Sequence, residues 1–288
     1  MSLLTKFLAV YSRKGLRGSY RVTKFLSHRL KSLQCVPIQT ESGTLYADLR
    51  ISSSRGILAN PKSETGEDQV MRNFVKNGDV VFDIGAHLGY YTLLLSKVVG
   101  EKGKVIAFEP NPELLPSLKM TLESLPNVEL FTIALSDRKG EINLFVPEDA
   151  SMASLTDWTG GIAGKVHTIK CEMHRLDDLL TEGKLPIPEF IKCDVEGAEL
   201  SIFKGAIKHL NQVSAPIVLF EINPLAAAAF GKTTADYFDF LESLEYPKYK
   251  FFEVSLDGIR ELKSKEIEYA NVVAVPEAKL HLCQGGLR

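Results

Sequence analysis

Apolar runs in this 288-residue chain repeatedly end on a carboxylate. Asp83 lies near the end of "DVVFDIGA" and Glu109 near the end of "KVIAFEP". Asp194 closes "EFIKCDV", with Glu196 and Glu199 just behind it, and Glu221 closes "PIVLFEI". Short continuous apolar runs bounded by turn residues read as buried strands. In an open parallel sheet, ligands bind beyond the carboxyl ends of the strands. Acids at several strand ends therefore read as parts of one site. They can accept hydrogen bonds from hydroxyls, hold an ammonium group, or take a proton from an acceptor. Asp194, Glu196 and Glu199 fall within six residues, so they repel and must be solvated, paired or functional.

The turn "FDIGAHLGYY" limits the ligand. A dinucleotide site would need G-x-G-x-x-G, but His87 stands two residues after Gly85 and the next glycine is Gly89. No Gly-Lys-Ser/Thr follows, so a phosphate loop also fails. S-adenosyl-L-methionine carries no phosphate and suits the turn better. Asp83 could hold its ammonium group, directly or through water, and the glycines let the backbone come close. The helix N-terminus after Gly89 favours its carboxylate. Glu109, 26 residues after Asp83, can accept from both ribose hydroxyls, although an acid here also occurs in NAD-binding folds. The plain alternative is a tight turn beside a surface acid.

For proton transfer, Asp194 is the first candidate and Glu196 and Glu221 the next. Asp194 could instead hold the ammonium group or orient the acceptor. Glu196 could satisfy backbone donors at a helix start, and Glu221 could form an ion pair at the rim. The three are oxygen ligands of the kind Mg²⁺ takes, but the spacing demands no metal and none is expected. His167 reads as structural. Trp158, beside Gly160 and Gly161, could stack on a sugar face or anchor its loop to the core.

These residues sit on strands and helices in alternation. From residue 68 the strands are "DVVFDIGA", "KVIAFEP", "VELFTIAL", "EFIKCDV", "PIVLFEI", "KYKFFEV" and "ANVVAV". Helices read as "YTLLLSKVV", "PELLPSLKMTLESL" with Pro112 in its first turn, "AELSIFKGAIKHL" and "ADYFDFLESL". This alternation implies a mostly parallel, doubly wound α/β sheet. Residues 140–173 break the pattern and read as strand, glycine-rich loop and strand with no helix, a possible lid. "VPIQTESGTLYADLRI" reads as a hairpin about Ser42-Gly43. Ahead of it, Leu3, Leu4, Phe7, Leu8 and Tyr11 share one helical face. After breaks at Gly15 and Gly18, Val22, Phe25, Leu26, Leu30 and Leu33 share another. Residues 1–60 thus form a helical and hairpin extension, and 61–288 the main domain.

Residues 1–34 hold eight Lys or Arg and no acid, which leaves 26 basic against 36 acidic residues in the remainder, a net charge of −10. An acidic body makes nucleic acid an unsuitable partner. A basic amphipathic segment reads as a docked cap, a partner-binding arm or a peripheral contact with an anionic membrane. The cysteines at 35, 171, 193 and 283 form no CxxC pair, which favours a reducing, cytoplasmic setting. No run approaches the roughly 20 apolar residues of a membrane span.

The stretches "GDVVFDIGAHLGYYT", "VIAFEPNP", "ALSD", "SMASL", "RLDDL", "EFIKCDVEGAELSIFKGA" and "LFEINP" lie in that order within residues 64–224. In this combination the chain resembles the FkbM-type methyltransferases, a class I S-adenosylmethionine-dependent family, and the "KCDVEGAE" run is the most specific piece. The resemblance implies a Rossmann-like sheet of seven strands. It also implies methyl transfer, usually to a hydroxyl of a sugar, glycan or natural product. By position it places Asp83, Gly85 and Gly89 at the amino-acid end of the cofactor and Glu109 at the ribose. Ala134, Leu135 and Asp137 would lie by the adenine. His87 stands where the family often has asparagine or another polar residue, and Glu67 matches an upstream acid. The alternatives are a nicotinamide-dependent oxidoreductase on the same sheet and a non-catalytic scaffold.

Overall fold

The computed structural model describes residues 2–14 and 18–285. The break expected at Gly15 lies outside the described residues. In chain order the strands are β1 (Val36–Gln39), β2 (Thr44–Ala47), β3 (Val80–Ile84), β4 (Lys104–Phe108), β5 (Val128–Phe131), β6 (Ala134–Leu135) and β7 (Gly140–Pro147). They continue with β8 (Val166–His174), β9 (Phe190–Cys193), β10 (Ile217–Ile222), β11 (Tyr249–Ser255), β12 (Gly258–Glu261) and β13 (Ala270–Pro276). The main sheet runs β12-β11-β13-β10-β9-β3-β4-β5. From β10 to β5 all neighbours are parallel, whereas β13 runs antiparallel to both β10 and β11.

Both faces of this sheet are covered, which explains the unbroken apolar strands. β3 sends Phe82 and Ile84 into one buried cluster and Val81 into the other, following the two-residue strand period. Strand order reverses at β3, with β4 and β5 on one side and β9 and β10 on the other. That switch point is where a crevice opens in such sheets.

Several expectations are corrected. The sheet has eight strands rather than seven, because Gly258–Glu261 folds back on β11 as a hairpin. The two turn residues are Leu256 and Asp257, with Gly258 pairing with Ser255 as the first residue of β12. "VELFTIAL" is not one strand: β5 stays in the sheet, while β6 leaves it to pair with β8. β6, β8 and β7 form a second sheet, which accounts for the break at 140–173. Its loop carries a short 3-10 turn at Ala150–Met152, where no helix was expected. The helix after β4 spans Leu115–Leu122 and has Pro116 in its first turn. Asn111 caps a separate turn around Pro112, its side chain accepting from the Glu113 N–H. "AELSIFKGAIKHL" splits at Ala206 into two helices. Gly205 there packs so closely that a Cβ would lie 2.0 Å from the Ser136 carbonyl oxygen.

The hairpin about Ser42-Gly43 forms as expected between β1 and β2. One buried cluster joins Leu8, Leu33, Ile38, Leu45 and Leu58 to Leu88, Leu93 and Leu114 across residue 60. The two N-terminal helices, Leu3–Arg13 and Ser19–Arg29, divide their expected apolar faces. Leu8 is buried, but Leu3, Phe7 and Phe25 are exposed.

Candidate functional site

β3 ends in a turn that must lie against the end of β9. Gly85 has φ 83°, and a Cβ on it would come within 1.9 Å of the Asp194 carbonyl oxygen. The Asp194 N–H donates to the Ile84 carbonyl at 3.0 Å, joining the two strand ends. Gly85→Ala is expected to lower stability by about 2–6 kcal/mol, from overpacking plus a strained left-handed backbone. Urea unfolding measures it, and an unchanged midpoint would contradict this packing. Gly89 is the N-cap of the helix Tyr90–Val99. Between the glycines His87 also takes a left-handed φ, 55°.

Glu109 holds this turn from the end of β4. Its carboxylate accepts from the backbone N–H of His87 and from that of Asn111, both at 2.8 Å. Burial pushes the Glu109 carboxyl up to about 7. Burial also pushes the His87 imidazole down to about 4. The ring is therefore neutral at pH 7, and its Nε2 is buried with no partner among the described residues.

A cavity of about 600 Å³ opens at these strand ends, within the size range of small-molecule sites. Gly85, His87, Glu109, Ala134, Leu135, Asp194, Glu196 and Glu221 all line it. Asp83, Gly89 and Asp137 do not, so three expected contacts are corrected. Gly89 faces the helix Leu115–Leu122 instead, where a Cβ on it would lie 3.0 Å from the Leu118 side chain. Asp83 is wholly buried in β3, where it accepts from the Thr92 hydroxyl at 2.6 Å. Asp137 lies two residues beyond β6, where the chain has turned outward, and is exposed beside Arg138. Glu67 accepts from the Asn271 amide at 2.6 Å and is not part of the lining.

The residue that sequence reasoning missed is Lys192. It is the in-register partner of Asp83 across the β3–β9 pair and is 4% exposed. Its Nζ lies 3.1 Å from Asp194 Oδ2, 3.8 Å from Asp83 Oδ1 and 4.8 Å from the Tyr91 ring centre. Burial works against the charged ammonium, but Asp194 and Asp83 outweigh it and raise its pKa above the usual lysine value. The available signal was a lysine inside an otherwise apolar strand, since buried charges are almost always paired.

Asp194, Glu196 and Glu221 converge, with one oxygen of each lying within 4.8 Å of the others. Glu221 is no rim ion pair. It is 8% exposed and accepts from the Tyr269 hydroxyl, and its other oxygen is buried with no partner among the described residues. Glu196 adopts φ 55°, and its carbonyl accepts from the Ser154 hydroxyl at 2.7 Å. The backbone donors at this bend are taken by Glu199 instead, which accepts from Val195 and Gly197 at 3.0 and 3.3 Å. Burial, then mutual repulsion, raises the proton affinity of Glu196 and Glu221. Such a trio can share protons with hydroxyl groups, and its oxygens are also the donors a hard cation takes. His167 is exposed and pairs with Glu113 at 2.9 Å. Trp158 lies outside the cavity lining, with its Nε1 buried.

The buried carboxylates set a pH dependence. An unfolded glutamate titrates near about 4.3, whereas Glu109 and Glu199 are both raised to about 7 by burial. The fold thus keeps protons that the unfolded chain has lost. Their contribution to stability is complete below about pH 4.3 and is lost as pH rises through about 7. Glu196, Glu221 and Asp83 shift the same way. His87 acts oppositely, but only below about pH 6.5. The thermal midpoint is therefore expected to fall as pH rises from about 6.5 to 8.5. Glu199→Gln, which retains an acceptor for Val195, should flatten that slope. A midpoint that climbs over this range would refute the assignment.

The match to known proteins covers most of the lining of this cavity, leaving out the part built from residues 53–65. The family model described as "Methyltransferase FkbM domain" matches residues 83–248. The hexuronic acid methyltransferase AglP of Haloferax volcanii is 31% identical over 157 residues, covering 53% of this chain and 62% of that protein. The 2-O-methyltransferase NoeI of Sinorhizobium fredii is 28% identical over 156 residues, covering 50% and 64%. The chain thus spans less than two thirds of the length of either relative. Among solved structures, a SAM-dependent methyltransferase from Aquifex aeolicus aligns with 73% of this chain and 87% of its own. Its identity is 18% and the TM-score 0.41. The matched stretch begins at Asp83 and takes in all four strand ends around the cavity, and it accounts for more than half of the sequence; this chain belongs to the FkbM family of S-adenosylmethionine-dependent methyltransferases.

Proposed function

We propose that the protein transfers the methyl group of S-adenosylmethionine to a hydroxyl oxygen of a sugar, a glycan or a natural-product small molecule. The observation that carries this is the joining, in one cavity, of the Glu109-held glycine turn with the Asp194, Glu196 and Glu221 trio. Glu109 suits the ribose hydroxyls, and Ala134 and Leu135 supply an apolar wall for the adenine. The amino-acid end would meet the turn at Gly85 and the Lys192–Asp194 pair rather than Asp83. The relatives' names, one for a hexuronic acid and one for 2-O-methylation, support a sugar hydroxyl as acceptor. Against a nicotinamide ligand, His87 lines the cavity where a pyrophosphate would need bare backbone.

In the proposed reaction the acceptor oxygen attacks the methyl carbon in line, and the carbon–sulfur bond breaks. S-adenosylhomocysteine leaves as a neutral thioether. The hydroxyl proton passes to a carboxylate, with Asp194 as the first acceptor. Because the methyl group arrives already activated, positioning supplies much of the acceleration. Burial and repulsion raise the proton affinity of Glu196 and Glu221, so a protonated member of the pair can donate to an acceptor oxygen and orient it.

A screen with labelled cofactor against cell-extract fractions, followed by product identification, tests the acceptor. Isothermal titration should show micromolar binding of S-adenosylhomocysteine and none of NAD. Failure to bind either would favour a scaffold. EDTA is expected to leave turnover unchanged, since Lys192 already supplies positive charge to the trio, and loss of activity restored by Mg²⁺ would overturn that expectation. The same reading places the enzyme in the cytoplasm, as the unpaired cysteines support, with residues 1–34 at the membrane periphery. Among the described residues no helix is long and apolar enough to cross a membrane.

A further inference from the structure

The two N-terminal helices are built inside out for a docked cap. Towards the protein they turn mostly small and hydroxyl-bearing residues. Thr5, Ala9 and Ser12 of the first helix are buried with Leu8, and Ser19, Thr23 and Ser27 of the second are buried. Their large apolar residues face outward: Leu3, Phe7 and Val10 are 87, 62 and 52% exposed, and Val22 and Phe25 are 41 and 56% exposed. Leu3, Phe7 and Val10 follow the i, i+4, i+7 spacing of a single helical stripe. Exposed basic residues flank them, namely Lys6, Arg13 and Lys14 on one helix and Arg21, Lys24 and Arg29 on the other. The Arg29 guanidinium lies 4.4 Å over the Phe25 ring.

We propose that this outward face docks on an anionic lipid bilayer, with Leu3, Phe7 and Phe25 entering the headgroup boundary. Charge selects this occupant. Residues 1–34 carry eight basic groups and no acid, while the rest of the chain has a net charge of −10. Two copies meeting through the same face would bring two such basic segments together, which is repulsive. An anionic headgroup layer neutralises the basic rim, while the apolar stripe gains burial. The first of these helices, through its inner side, also packs next to the cavity wall. Arg13 Nε donates to the Ala59 carbonyl at 3.2 Å, at the end of the helix Ser52–Ala59, which lines the cavity through Ser53, Gly56 and Ile57. The inference refines the peripheral contact proposed above and does not depend on methyl transfer.

Deleting residues 1–34 would remove Leu8 and Leu33 from a shared core, so surface variants are the better test. The full chain should sediment with vesicles of mixed phosphatidylcholine and phosphatidylglycerol. Binding should be far weaker to phosphatidylcholine alone and should be released by added salt. The Phe7→Ser/Phe25→Ser double variant should partition about tenfold less or weaker still, with S-adenosylhomocysteine binding unchanged by calorimetry. Equal sedimentation of both proteins, or none by the parent, overturns the proposal. A concentration-dependent dimer that the double variant abolishes would assign the face to a second copy instead. Loss of cofactor binding by the parent chain would count against the methyl-transfer reading alone.

Discussion

Glu109→Ala is expected to weaken S-adenosylhomocysteine binding by roughly 10²–10⁴-fold. Two hydrogen bonds from ribose hydroxyls to a charged acceptor contribute about 1.5–3 kcal/mol each, and about 1.4 kcal/mol is a factor of ten. The same substitution leaves the His87 and Asn111 N–H groups without the carboxylate they share, so the turn between Gly85 and Gly89 should also loosen. Calorimetry measures the affinity, and thermal unfolding of the free protein separates the two effects. Glu109→Gln should fall between, because an amide oxygen can accept only on one side. Affinity within threefold of the parent, which is about 0.65 kcal/mol, would mean that Glu109 shapes the turn and leaves the ribose alone.

Asp194→Ala is expected to abolish measurable turnover, a loss of at least about 10²–10⁴-fold for removal of a positioned base. It would also leave Lys192, among the described residues, with Asp83 at 3.8 Å and the Tyr91 ring. The division between binding and rate identifies the role. A base loses kcat while cofactor affinity holds. A ligand for the cofactor's ammonium group loses affinity for S-adenosylmethionine first. Asp194→Asn keeps the shape and removes the charge, so it should follow the alanine variant in rate and exceed it in stability. Full activity in the alanine variant would move the proton-accepting role to Glu196 or Glu221.

Much of the site was legible because strand ends and turns are local. "FDIGAHLGYY" shows in its own residues that a glycine turn follows a strand. The mismatch with G-x-G-x-x-G is visible there as well. Glu109 and Asp194 follow their strands directly, so their position at the cavity could be read without knowing the strand order. The division of labour between Glu196 and Glu199 was not legible. Both lie in "DVEGAEL", and the left-handed φ at Glu196 decides which carboxylate bends back to the Val195 and Gly197 donors. Asp137 was misplaced for a similar reason, since β6 departs from the main sheet to pair with β8.

By itself the sequence determined the alternation of strands and helices, the glycine turn and the acids that follow it. Each depends on period, spacing or turn chemistry over a few residues. Only the tertiary structure decided which acids face the cavity and which lie beneath it. Asp83 and Lys192 are 109 positions apart in the chain and become neighbours through the register of β3 against β9. That pairing buries Asp83 and directs the lysine ammonium to Asp194. Local periodicity carries no record of which distant strand will lie alongside, or in which register.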